Sequence, residues 1–258
     1  MKSYFAVRAI LLASGVAAHA ASAHAASAQG SPTANARAPI PGQLAQDFVA
    51  GRVPRSEEIA AAEADVAANP ANFEMMRRLG KGYFFQYFGA GNAASIPKAM
   101  ATFDKALELK KDDPETLAYY GALYTFAAKR IDKNDPAKQK AGFDKGFELL
   151  QKAEKLAPRN GAVISVTSGS YVDLPDSYGM APHVVETLEG MRKAMGPMFD
   201  KFSHHGRQRL LLTLGRAYVQ TGQPEKGRAN FDEALAIDGE STEANLIKTE
   251  LGKLGPKP

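Results

Sequence analysis

From Ser56 onward, apolar residues recur three and four positions apart in helix-length blocks, and the breaks between blocks carry Gly, Pro or Asn. The clearest block places Leu211, Leu214, Gly215 and Tyr218 on one side of a helix. Gly222-Gln223-Pro224 interrupts it, and a second block carries Gly227, Phe231 and Ala234. This pattern predicts two antiparallel helices in close contact: the small residues permit the approach, and Leu211, Tyr218 and Phe231 fill the space between them. Strand-like alternation is almost absent. The β-branched patch Val163-Ile164-Ser165-Val166-Thr167 would suit a strand by propensity, but it occupies the first-helix position of a repeating unit. The expected class is therefore all-α.

The same spacing returns along the chain. Leu79, Gly80 and Tyr83 are followed by Ala99, Phe103 and Ala106, across an inserted Gly89-Ala90-Gly91-Asn92. Leu117, Gly121 and Tyr124 are followed by Gly146, Leu150, Ala153 and Pro158, across a polar insertion from Lys129 to Lys140. Ile164, Ser168 and Tyr171 open a further unit whose second helix is expected over Ala181–Ala194. A leading helix over Ile59–Asn69, stopped by Pro70, and a closing helix over Thr242–Leu254 would cover the two ends, as stacked repeats require.

The unit Arg209–Asp238 resembles the tetratricopeptide repeat, whose pattern sets a Leu-Gly pair, a Tyr and then small, aromatic and small residues over about 34 positions. The other units resemble it less regularly. The resemblance implies an α-solenoid of antiparallel helix pairs with irregular inserted loops over residues 56–254 and a tail at 255–258. It implies binding of a peptide or protein, and the first helix of each unit lines the concave groove.

The first residues change the picture of where the protein works. Lys2 and Arg8 precede and bracket a short apolar run, and small residues follow with Ala-x-Ala triplets ending at Ala23, Ala25 and Ala28. Residues 1–28 are expected to be an export signal, because the run is too short for a membrane span. Residues 29–55, with Ala38-Pro39-Ile40-Pro41-Gly42, read as a flexible linker. The expected address is exported and periplasmic. The chain contains no cysteine, so neither a disulfide nor a lipid-modified cysteine is available. There are 32 basic and 28 acidic residues, and removal of Lys2 and Arg8 with the signal halves that excess. No concentrated basic stripe remains to favour nucleic acid.

Candidate chemistry is sparse, and neither catalysis nor a cofactor is expected. His204-His205 lacks the His-x-x-x-His spacing that puts two ligands on one helix face, so no metal is expected. Asp173 and Asp176 flank Pro175 in a stretch where a cap or turn is expected, not a catalytic acid pair. There is no Gly-x-Ser-x-Gly elbow and no phosphate-binding glycine loop. What remains is a surface. Arg77, Lys81 and Phe84 on the first unit and Arg209, Leu212, Arg216 and Gln220 on the last share helix faces outside the expected buried set. These are the expected partner-binding groove, its basic groups suited to an acidic or C-terminal carboxylate segment. Small residues at Ala118, Ala122, Ser165 and Gly169 are expected to leave room between them. The aromatic run Tyr83-Phe84-Phe85-Gln86-Tyr87-Phe88 is too dense for one helix face and is expected to be covered by the Gly89–Ile96 insertion. The second functional reading is a small-ligand carrier, with a pocket near Phe84, Phe88 and Tyr124, or an accessory subunit of an envelope transport or secretion complex.

Overall fold

A computed structural model describes residues 53–130 and 134–256. The proposed export signal and nearly all of the linker lie outside these residues. The described chain is all-α: α1 (Ser56–Ala68), α2 (Phe73–Ala90), α3 (Ser95–Leu109), α4 (Pro114–Arg130), α5 (Pro136–Leu156), α6 (Gly161–Tyr171), α7 (Ala181–Met195), α8 (His204–Gln220), α9 (Pro224–Ile237) and α10 (Thr242–Leu254). Short 3₁₀ segments, Asp176–Tyr178 and Gly196–Lys201, precede and follow α7.

Local chemistry sets the ends. The side chains of Asn72, Asp135, Asn160, Ser203 and Ser241 each accept an N–H bond from the first turn of the helix they precede. At α1 the reciprocal contact comes from Glu58, whose carboxylate accepts the Arg55 N–H at 2.8 Å. Gly222 ends the helix before it in the left-handed region, with φ 75°. The β-branched residues of α6 are helical, as their place in the repeat requires: Val163 and Thr167 are fully buried between neighbouring helices, and packing overrides propensity.

Helices α2 with α3, α4 with α5, α6 with α7, and α8 with α9 follow one another as successive pairs, with α1 before them and α10 after. Two of these pairs, α2 with α3 and α8 with α9, close by glycine against a phenyl ring. A Cβ on Gly80 would lie 2.6 Å from the Phe103 ring, and one on Gly215 would collide with the Phe231 ring. In α4 and α5 the approach is backbone to backbone: a Cβ on Gly146 would sit 2.9 Å from the Gly121 carbonyl oxygen. Phe103, Phe231, Leu150 and Leu211 are completely buried in these contacts.

The insertions behave differently from one another. Gly89–Ala94 is exposed, and the aromatic run is covered instead by helices: Tyr83 by Glu63 of α1 and Lys98 of α3, and Phe84, Phe85 and Phe88 by Tyr119 and Phe126 of α4. The expected covering by the insertion is thus corrected. Val53 and Pro54 already pack on the domain, with Val53 against Gly89. The 172–180 stretch folds down on α5, burying Leu174 and setting Tyr178 against Phe143 and Phe147.

A contrasting glycine gives a direct test of these contacts. Gly190 lies inside α7, exposed, with ordinary helical φ and no neighbouring atom within 4 Å of where a methyl group would stand. Gly190→Ala should raise the unfolding free energy by about 1 kcal/mol through helix propensity alone. Urea titration checks this, and a loss of stability would contradict the geometry.

Candidate functional site

The first helices α2, α4 and α8 carry the expected groove residues, and the structure brings most of them into contact with the neighbouring unit. On α2, Arg77 meets Glu74 at 2.7 Å, Asp113 at 3.5 Å and Glu115 at 3.6 Å. Lys81 meets Glu115 at 3.4 Å and lies 4.7 Å over the Tyr119 ring. Phe84, expected at the groove surface, is buried: it stacks on Phe88 and meets Tyr119 and Phe126 edge-on. The cause is α4. Its residues Thr116–Ala128 are buried almost without exception, since Leu117–Ala128 is apolar on every side and the helix lies between α2, α5 and α6. Ala118 and Ala122, expected to leave open space, are closed over in the same way.

On α8, Leu212 is also buried, while Arg216 and Gln220 dock on the end of α6. Arg216 donates to Asp173 at 2.7 Å and lies 3.4 Å from Glu250, and Gln220 donates to the Val172 carbonyl at 3.0 Å. Asp173 takes a second cation, Lys129, at 2.6 Å. Desolvation of this buried carboxyl pushes its pKa up, but the adjacent Arg216 and Lys129 charges outweigh that and hold it below the usual aspartate value of 3.8. Asp173 is therefore a keystone between units, a role its turn-like sequence context did not disclose. Asp176 stands apart from it in the 3₁₀ segment, exposed.

Arg209 differs from the other groove cations. Its guanidinium lies 5.3 Å over the Phe88 ring, linking α8 to the end of α2, and among the described residues no carboxylate comes within bridging distance.

The histidines act as packing partners. His205, beside the helix-starting His204, bonds through Nδ1 to Glu243 of α10 at 2.9 Å, and His183 of α7 bonds to Glu154 of α5 at 2.8 Å. No group of three or more metal-ligating side chains occurs among the described residues. The region around Phe84, Phe88 and Tyr124 is filled by ring contacts, with Phe88 4.7 Å from Phe126 and Tyr124 4.9 Å from Tyr120, so the enclosed pocket of the second reading is not formed there. Two open clefts lie elsewhere. One, of about 410 Å³, is bounded by Pro136, Phe143 and Tyr178; the other, of about 510 Å³, by Arg192, Phe199 and Glu233.

Comparison with known proteins agrees with this geometry. Residues 208–241 match the family described as the tetratricopeptide repeat. No curated protein matches the chain. Among solved structures, TTC0263, a thermophilic tetratricopeptide-repeat protein of Thermus thermophilus, superposes with a TM-score of 0.58 at 14% identity, covering 81% of this chain and 95% of that one. The MamA protein gives a TM-score of 0.42 at 20% identity, covering 84% and 92% of the two chains. Residues 208–241 thus carry a tetratricopeptide repeat in sequence, and the helix pairs that precede it complete an all-α, tetratricopeptide-like fold shared with TTC0263.

Proposed function

We propose that the protein is an exported, periplasmic scaffold that holds a peptide or protein partner against its first-helix face. Its N-terminal sequence supports the address: a positive start, a short apolar run and small-residue cleavage triplets. The observation that carries the binding surface is Arg209. Arg77, Lys81 and Arg216 are neutralised by acids of adjacent helices, whereas Arg209 offers its N–H donors with an aromatic ring beneath and no carboxylate against it among the described residues. Tetratricopeptide folds serve many partners, so the fold supports a binding role and the surface selects what is bound.

The test is a photo-crosslinking residue at Gln220, on the exposed edge of this face, with a matched control at Lys105 on α3, in cells of the source organism. The expected result is a discrete adduct from position 220 alone, on protein recovered from the periplasmic fraction and lacking its first residues. Adducts from position 105 only would move the binding surface elsewhere, and retention of the intact N-terminus in the cytoplasm would remove the export reading.

A further inference from the structure

Three units meet at one pair of rings. Phe88 from α2 and Phe126 from α4 lie 4.7 Å apart, edge to face. Arg209 from α8 covers Phe88, and Arg130, at the exposed end of α4, lies 5.8 Å over Phe126. Neither guanidinium has a carboxylate partner among the described residues, although Lys81, Lys129 and Arg216 of the same three helices all do. Glu243 feels the Arg209 charge, but its carboxylate is bonded to His205.

A cation–π contact engages the guanidinium's charge and leaves its N–H donors available, and a carboxylate accepts two of them side by side. Each ring keeps a guanidinium within cation–π range, and neither contact uses up the N–H donors. Holding them in place also lowers the side-chain entropy that a charged contact would otherwise cost.

We infer that Arg130 and Arg209, carried on Phe126 and Phe88, dock an acidic segment of a partner protein through its Asp or Glu side chains. This rests on the scaffold reading above and specifies its chemistry. The acidic side chain is favoured by charge complementarity: the two open cations sit beside lysines and an arginine whose charges are already paired.

The test uses the purified full chain and fluorescein-labelled, C-terminally amidated hexaglutamate, followed by fluorescence anisotropy at low salt. Saturable binding is expected, and R130E/R209E should weaken it at least about tenfold, as loss of charge-assisted hydrogen bonds does. The control K105E/K155E removes the same net charge from exposed lysines of α3 and α5 and should leave binding unchanged. Equal weakening by that control, absence of hexaglutamate binding, or equal affinity for hexaglutamine with a free carboxyl terminus would each overturn the inference. Circular dichroism confirms that the variants fold, and R130Q/R209Q replaces the reversal if it does not. Crosslinking at Gln220 that persists while hexaglutamate fails to bind removes this inference and leaves the scaffold standing. Hexaglutamate binding through the two arginines with no crosslink at Gln220 removes the scaffold reading instead.

Discussion

Gly146→Val should lower the unfolding free energy by about 3 kcal/mol, at the upper end of what overpacking a helix contact costs. A first side-chain carbon at this position would sit 2.6 Å from Thr125 Oγ1, 2.9 Å from the Gly121 carbonyl oxygen and 3.1 Å from the Thr125 nitrogen. Two of those three neighbours are main-chain atoms of α4, which cannot turn aside as a side-chain tip can. The two helices must separate, and separation opens the contacts of Leu150 and Ala153, both fully buried. Chemical denaturation compared with Gly190→Ala gives opposite signs for the two glycine substitutions, since only one of them lies at a helix contact. A Gly146→Val protein as stable as its parent would mean that α4 and α5 are not in backbone contact.

Asp173→Asn should cost about 2 kcal/mol, the usual result of removing charge-assisted hydrogen bonds from a largely enclosed carboxylate whose cationic partners keep access to solvent. Lys129 and Arg216 would then face a neutral amide. Arg216 keeps Glu250, at 3.4 Å, while Lys129, the more exposed of the two, turns to solvent. The pH dependence follows from the direction of the shift. The folded-state pKa of Asp173 is depressed below 3.8, so its contribution is fully present above the unfolded-state value and is lost as pH falls through the folded-state value. Melting temperatures measured from neutrality down to about pH 3 should therefore fall more steeply for the parent than for Asp173→Asn once below about pH 4. Parallel curves would show that the carboxylate is not the group holding the two cations.

Much of this fold was legible because the informative residues are those that tolerate no substitute. Gly215 beside Phe231 and Gly80 beside Phe103 announce a helix contact by their spacing, and each ring lies where the missing Cβ would be. The same register correctly made a helix of Val163–Thr167 against local propensity. The groove was harder to read. A cation on the outer stripe of a single helix looks free until the next unit supplies its acid: Arg77 finds Asp113 36 residues later, and Lys81 finds Glu115 34 residues later. Those separations are close to one repeat length, so opposite charges a period apart are a usable signal that a helix-by-helix reading passes over. The Leu117–Ala128 stretch held a second signal, since a helix apolar all round is an enclosed helix and not a groove wall. Lys129, Asp173 and Arg216 could not be joined from sequence, because two long and irregular connections separate them.

The enclosure of α4 has a consequence for rearranging the array. In an evenly built solenoid, a middle unit can be excised or duplicated because its two neighbours offer equivalent surfaces. Here Tyr119 and Phe126 interlock with the α2 rings on one side, and Gly121 admits α5 on the other. Removing residues 114–158 would leave Phe84 and Phe88 facing an α6 whose sole ring, Tyr171, stands at its far end, and copying the same stretch would present aromatic residues to a surface without a matching hollow. The order of the units is therefore written into their shapes, and this protein is a single object assembled from repeats instead of a ladder that can be lengthened or shortened rung by rung.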